Sequence, residues 1–259
     1  MALSPVRRRF SQNFLVDRNY IERILEVIAP EPTDRILEIG PGRGALTRLL
    51  AARSEHVTVV EIDRDLAREI RGEIEEVEVV VGDVMRVDME ALFGVHLWRV
   101  VGNLPYHIAT PLLFLLVRAS ARIHDMHFCL QDELVARICA TPGNRQWGRL
   151  SVMMQYYAEV TPLFRIPATA FRPRPRVQSR MLRLVPRERP LCARSPKVLE
   201  DLVRIAFSKR RKTLHNALKS YPRYDADALT RELGIDLKCR PETLGVDDFV
   251  AMSNLLGDD

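Results

Sequence analysis

Arg35-Ile36-Leu37-Glu38-Ile39-Gly40-Pro41-Gly42-Arg43-Gly44 is the stretch that decides the fold. An apolar run carrying one acid enters a glycine cluster, and a helical pattern from Ala45 to about Arg53 follows. Strand, glycine turn and helix in this order open a doubly wound nucleotide-binding unit. Glycines permit the tight turn and let backbone come close to a ligand.

Downstream, Val57-Thr58-Val59-Val60-Glu61-Ile62-Asp63 reads as a second strand. It ends in acid roughly 20 residues after Gly40, the separation expected of a carboxylate gripping ribose hydroxyls. A third strand, Val77 to Val81, runs into Gly82-Asp83, where a second acid is placed to accept from an adenine amino group. A fourth, Trp98 to Val101, leads into Gly102-Asn103-Leu104-Pro105-Tyr106. Strands alternating with helices predict an α/β fold with a mainly parallel sheet, whose ligands lie across the carboxyl ends of the strands.

The loop after the fourth strand has its own chemistry. Pro105 contributes no N–H and pushes Leu104 towards an extended conformation. The Asn103 side-chain oxygen and the Leu104 carbonyl are then two acceptors facing one point, with Tyr106 as a flat surface beside them. That suits a planar ring with an exocyclic amine, such as adenine. Taken alone, the stretch is better read as a strand followed by a proline turn.

Upstream, Arg7-Arg8-Arg9-Phe10-Ser11-Gln12-Asn13-Phe14-Leu15 is a basic arm leading into an amide-rich segment. Asp17 reads as the N-cap of a helix with Ile21, Ile24, Leu25 and Ile28 at helical spacing, ended by Pro30 and Pro32.

With 259 residues, 47% of them hydrophobic, the chain can bury a full core in one large domain plus a small one. The longest apolar run, Pro111 to Val117, is far too short to span a bilayer. The first nine residues lack an apolar signal core, so a cytoplasmic protein is expected. The four cysteines, Cys129, Cys139, Cys192 and Cys239, form no Cys-x-x-Cys pair, which argues against a zinc site or a disulfide framework and fits a reducing compartment. His124-x-x-His127-x-Cys129 has no partner cluster, and no metal is expected there. Met153-Met154 and Tyr156-Tyr157 read as core filling.

The net charge of +5 is unevenly spread. Acids dominate between Glu55 and Glu90; from Arg165 to Arg189 Glu188 is the single acid, and from Arg204 to Arg223 there is none. Lys209, Arg210, Arg211 and Lys212 stand in a row. Such polarity suggests that one side handles a small ligand and the other meets a polyanion, although a charge run is more often a solvated helix face.

Gly40-x-Gly42-x-x-Ala45 fits a loose dinucleotide fingerprint as well as a methyl-donor site. Glu38 within the strand, acids ending strands two and three, and Asn-Leu-Pro-Tyr after strand four favour the methyl donor. Nothing resembling hydride-transfer machinery accompanies them.

Together these motifs resemble the ribosomal RNA adenine dimethyltransferases, specifically the small-subunit enzymes. The likeness covers nearly the whole chain. Its pieces are Gln12-Asn13-Phe14-Leu15, the glycine loop with Glu38, Gly102 to Tyr106, and Phe171-x-Pro173-x-Pro175-x-Val177-x-Ser179. Ala206-Phe207-Ser208-x-Arg210-Arg211-Lys212-Thr213-Leu214 and Arg240-Pro241-Glu242-Thr243-Leu244 complete the set. Ser11, His107 and Gln178 depart from the family's usual glycine, asparagine and aspartate.

The resemblance implies a Rossmann-like S-adenosylmethionine-dependent methyltransferase sheet over residues 1–186 and a small all-α RNA-binding domain over 187–259. It implies that Asn13, Leu15, Gly40, Glu61, Asp83 and Asn103 contact S-adenosylmethionine. Asn103, Leu104 and Tyr106 would carry catalysis. Phe171 would be a second aromatic plate for the base, and Arg210, Arg211 and Lys212 would meet RNA. The expected activity is N6-dimethylation of two adjacent adenines in a loop near the 3′ end of small-subunit ribosomal RNA, by a monomer partnered with that subunit. Two alternatives stand beside it: a large-subunit methyltransferase of the same family, and an assembly factor in which methylation is secondary.

Overall fold

The structure, a computed structural model, describes residues 13–187, 192–209 and 211–257. The basic arm, Ser11, Gln12 and Arg210 therefore lie outside the described residues. Packing divides the chain into two units. The first runs to Val135 and resumes over Glu159–Pro186; the second comprises Ala136–Ala158 and the chain from Arg187 onward.

The first unit is built on a seven-stranded sheet. Its strands are β2 (Arg35–Ile39), β3 (His56–Glu61), β4 (Val77–Val81), β5 (Trp98–Asn103), β6 (Ile123–Gln131), β7 (Ala158–Ile166) and β9 (Ser179–Pro186), in the order β4-β3-β2-β5-β6-β9-β7. The pairs from β4 through β6 are parallel, and β9 runs antiparallel to β6. The short strands β1 (Phe14–Leu15) and β8 (Phe171–Arg172) pair apart from this sheet. Because β3 lies on one side of β2 and β5 on the other, the strand order reverses between β2 and β5. Doubly wound sheets bind ligands at such a point.

The helix α1 (Arg18–Ile28) forms as its sequence predicts. The Asp17 carboxylate accepts from the Asn19 N–H, and Ile21, Ile24, Leu25 and Ile28 are buried. Ala29 ends it in a left-handed conformation at φ 46°. The helix α2 (Thr47–Ala51) is shorter than the expected Ala45–Arg53. The Leu49 N–H bonds to Leu46 and the Arg53 N–H to Leu50, so its ends are tightened into three-residue turns. The helices α3 (Arg64–Glu73), α4 (Met89–Phe93) and α5 (Tyr106–Arg118) follow β3, β4 and β5. After β6 the chain enters α6 (Asp132–Ile138). Strand β5 outlasts the predicted Val101 by two residues because Gly102 and Asn103 continue the ladder with Phe128 and Cys129.

The second unit contains α7 (Arg149–Tyr157), α8 (Pro196–Ala206), α9 (Leu214–Leu218), α10 (Ala226–Leu233) and α11 (Val246–Leu256). Ser195 caps α8 by accepting from the Val198 N–H, and Pro196 occupies its first turn. The sequence reading assigns everything up to residue 186 to one domain; here Ala136–Ala158 packs with the C-terminal helices instead. The reason is α7, whose Met153 and Met154 are fully buried and which lies against α8 and α11. The Trp147 indole N–H donates to the Leu244 carbonyl at 3.0 Å, fastening the preceding loop to the same unit.

Candidate active site

Everything at the reversal point hangs on how closely β2 and β5 approach. A Cβ at Gly102 would lie 2.6 Å from the Ile39 carbonyl oxygen, so only glycine fits without forcing the strands apart. In the loop after β2, Gly42 holds φ at +59°, and a side chain there would meet the Phe14 ring at 2.8 Å. The loop can thus lie tightly against the segment leading into α1.

Between these loops lies a cleft of about 490 Å³. Asn13, Leu15, Gly40, Glu61, Asp83, Asn103, Leu104 and Tyr106, eight of the residues predicted for the site, all line it. They come from the ends of four parallel strands and from the segment before α1. Its size falls within the ordinary range for a small-molecule site.

Glu61 is 2% exposed. Its Oε2 accepts from the Gly42 N–H at 3.2 Å and its Oε1 from the Asp63 N–H at 2.9 Å. Burial raises its pKa, and those two N–H groups counter the rise. Asp83 is half-buried at the end of β4, where its Oδ1 accepts from the Met85 N–H at 3.0 Å. Glu38 is buried in β2, with its pKa raised to about 7 chiefly by desolvation. Its Oε2 has no hydrogen-bond partner among the described residues. Nearby Thr47 eases the shift, and the Glu61 charge adds to it.

The loop after β5 fixes the other wall. Asn103 Nδ2 donates to the Asn13 carbonyl at 2.9 Å, which makes Oδ1 the amide's acceptor. The Leu104 N–H donates to the Cys129 carbonyl at 3.3 Å. The Tyr106 hydroxyl lies 3.1 Å from Ser179 Oγ, which pins the ring at the start of α5. Burial raises the Tyr106 pKa, so its hydroxyl stays protonated at neutral pH.

Of the remaining predicted residues, those the structure describes do not line the cleft. Phe171 is 1% exposed, packed in a hydrophobic cluster with Leu15, Ile24, Ile166 and Met181. As placed, it is a core residue and does not line the cleft where its expected role as second plate would put it. Its register partner is Leu15, which draws the ring inward. Arg211 and Lys212 are exposed in the second unit and do not line the cleft. Arg210 lies outside the described residues. His107 is exposed at the rim, and the Gln178 carbonyl accepts from the Asp132 N–H at 3.0 Å.

Among the cleft residues that escaped the sequence reading as site members are His127, Cys129 and Met181. Alternation along β6 puts His127 and Cys129 on one face and His124 on the other, which separates the apparent metal pattern. Register makes Cys129 the neighbour of both Asn103 and Met181. A strand's partners are long-range facts, and no local signal in the sequence reports them.

S-adenosylmethionine is a cation with a ribose diol and an adenine ring, and the donor set fits it. Glu61 gives the inner wall a carboxylate, Asp83 offers an acceptor at the outer end, and the glycine loop leaves room beside the backbone. Sheet order and cleft together place the protein among the S-adenosylmethionine-dependent methyltransferases. The family model described as "Ribosomal RNA adenine dimethylase" matches residues 4–258, and the chain belongs to that family.

Relatives agree across the full length. The chain is 47% identical to the Ribosomal RNA small subunit methyltransferase A of Chromohalobacter salexigens, over 96% of this chain and 90% of that one. It is 43% identical to the protein of the same name from Aeromonas hydrophila, over 97% and 94%. Among solved structures, a dimethyladenosine transferase from Plasmodium falciparum shares the fold with a TM-score of 0.78, at 23% identity over 94% of this chain and 96% of that one. The 23S rRNA methyltransferase ErmE superposes with a TM-score of 0.72, at 28% identity over 94% and 99%.

Proposed function

We propose that this enzyme transfers methyl groups from S-adenosylmethionine to N6 of two adjacent adenines in a loop near the 3′ end of small-subunit ribosomal RNA. The observation that carries the reading is the Asn103 amide, held by the Asn13 carbonyl with its oxygen as acceptor beside the Leu104 carbonyl and Tyr106. Relatives named for the small subunit stand at 43% and 47% identity, against 28% for the 23S enzyme, which favours the small-subunit substrate.

An adenine N6 lone pair is delocalised into its ring and is a poor nucleophile. Asn103 Oδ1 and the Leu104 carbonyl hold the two N6 hydrogens and turn the amine towards tetrahedral geometry. The same acceptors stabilise the positive charge that grows on nitrogen. Tyr106 stacks on the base once it has left its helix. Solvent takes the proton afterwards, since among the described residues no strong base stands beside Asn103. The cofactor, which Asn13, Leu15, Gly40, Glu61, Asp83 and Asn103 would hold, would supply the electrophilic methyl group. Arg210, Arg211 and Lys212 engage RNA phosphates, so residues 187–259 serve as the RNA-binding domain. The enzyme works in the cytoplasm as a monomer, and among the described residues no helix is long and apolar enough to cross a membrane.

The test is transfer of labelled methyl groups to unmethylated small subunits, with large subunits and free RNA in parallel. Label recovered as dimethyladenosine from small subunits alone is expected. Label on large-subunit RNA overturns the substrate assignment. Tight binding without label overturns the enzymatic reading in favour of an assembly factor.

A further inference from the structure

Dimethylation poses a spatial problem that the two acceptors do not solve. After the first transfer N6 carries a methyl group and one hydrogen, and the same nitrogen must present its lone pair again. In the second transfer that lone pair forms an N–C bond as the sulfonium S–C bond of a second S-adenosylmethionine breaks. The S–C electron pair stays on sulfur and the last N–H proton leaves to solvent. Where the first methyl group goes meanwhile decides whether a second transfer occurs.

A row of side chains beside Asn103 answers this. Across β5, β6 and β9 the register places Asn103, Cys129 and Met181 side by side, each about 4.8 Å from the next strand. Cys129 is 2% and Met181 1% exposed, and both line the cleft with Ile21 and Ile24 from α1. Sulfur side chains are soft and adaptable, and make an apolar wall that yields to a methyl group. One layer deeper on β6 lies His127, 1% exposed, with neither ring nitrogen hydrogen-bonded among the described residues and its Nδ1 3.7 Å from Asp125 Oδ1. Burial holds its pKa down to about 4, so the His127 ring is neutral at neutral pH and does not repel a cationic amine.

We propose that the Cys129–Met181 row is the recess that receives the first methyl group, and that it sets the enzyme's outcome at two transfers instead of one. The inference rests on the placement of the target amine at Asn103.

The experiment compares Cys129→Leu, Cys129→Ala and Asn103→Ala with the unaltered enzyme. Unmethylated small subunits are digested after reaction, and N6-methyladenosine and N6,N6-dimethyladenosine are quantified. Thermal melting and calorimetric cofactor binding report on fold and cofactor site. Cys129→Leu is expected to raise the mono-to-dimethyl ratio about tenfold or more with the first transfer within about threefold, since one group too many in an apolar pocket discriminates on that scale. Cofactor affinity stays unchanged. Cys129→Ala, which enlarges the recess, is expected to methylate RNA carrying N6-ethyladenosine about tenfold faster than the unaltered enzyme does. Should Cys129→Leu fail to fold, the N6-ethyl comparison decides alone. An unchanged ratio in folded Cys129→Leu, or no gain on the ethyl substrate, overturns the recess. If Asn103→Ala still methylates, the placement of the amine falls and the recess with it; if Asn103→Ala is inactive while the Cys129 variants behave as wild type, the recess alone falls.

Discussion

Arg99 grips Asp125 with both arms of its guanidinium: Nε donates to Oδ1 at 2.9 Å and Nη2 to Oδ2 at 2.8 Å. The same guanidinium reaches Asp34 at 2.9 Å and the terminal carbonyls of α1, Ile28 at 2.6 Å and Ala29 at 3.2 Å. One partly buried cation thereby ties β5 and β6 to the end of the helix whose Ile21 and Ile24 line the cleft. Asp125 is fully buried, and Arg99 holds its pKa down against desolvation. Asp125→Ala leaves Arg99 with Asp34 and the two carbonyls but strips its bidentate partner, and is expected to cost about 1–3 kcal/mol in urea unfolding. The double variant Arg99→Met, Asp125→Leu is expected to recover a large part of that loss.

The contact between Gly102 and Ile39 gives a sharper geometric test. Gly102→Ala must displace backbone, and is expected to destabilise by about 1–3 kcal/mol and to weaken cofactor binding measured by calorimetry. Gly72→Ala is the control. It lies in α3 with nothing within 4 Å of the added carbon, so the helix gains about 0.8–1 kcal/mol in propensity.

Two buried groups pull the pH profile in opposite directions. Glu38, raised to about 7 from 4.5, keeps its proton in the folded state while the unfolded chain loses it. Stability from this group falls as pH rises from about 4.5 to about 7, then levels off. His127, lowered to about 4 from 6.5, stays neutral when folded while the unfolded chain takes a proton. Its effect is a loss of stability as pH falls from about 6.5 to about 4. Denaturant titrations should show Glu38→Gln gaining on wild type as pH rises to 7. His127→Gln should gain as pH drops below 6.5. A difference that does not vary with pH would contradict either assignment.

The Asn103 amide separates orientation from charge. Asn103→Ala is expected to lose methylation by about 100-fold or more, the scale for removing one oriented group at a reacting centre, while keeping its fold and RNA affinity. Asn103→Asp retains an acceptor but has no N–H for the Asn13 carbonyl, so two acceptors face each other at 2.9 Å. It should be comparably inactive. Single-turnover assays with melting curves check both.

The basic segment of the second unit should act through salt. Charge reversal at Arg210 and Arg211 is expected to weaken RNA binding and reduce the slope of log affinity against log salt by about 0.7 per lost contact with single-stranded RNA. Cofactor affinity should be unchanged. Unaltered RNA affinity would leave the segment as a solvated face.

Local chemistry made much of this legible. The glycine loop after β2, the acids ending β3 and β4, the Asp17 cap and the amide–proline–tyrosine loop are adjacent residues with fixed stereochemical consequences, and the structure has them as read. What stayed hidden depends on partners far along the chain. Phe171 has the look of an exposed plate beside prolines and arginines, but pairing with Leu15 buries it. Ala136–Ala158 reads as a continuation of the sheet domain, yet α7 spends its apolar face on α8 and α11. The Cys129 and Met181 neighbours of Asn103 follow from register, which a single sequence does not encode in any one window.

The missing Cβ at Gly102 has a last consequence, for inhibitor chemistry. The cofactor loop begins one residue beyond Ile39 and the acceptor loop one residue beyond Gly102, and these two residues are register partners. The distance between the two subsites is therefore set by the backbone spacing of one strand pair and is insensitive to side-chain rearrangement. A compound joining an adenosine-like group to a second adenine can be made with one rigid linker length. The mutations best able to evade it, those that spread β2 from β5, would separate the enzyme's own reactants by the same amount.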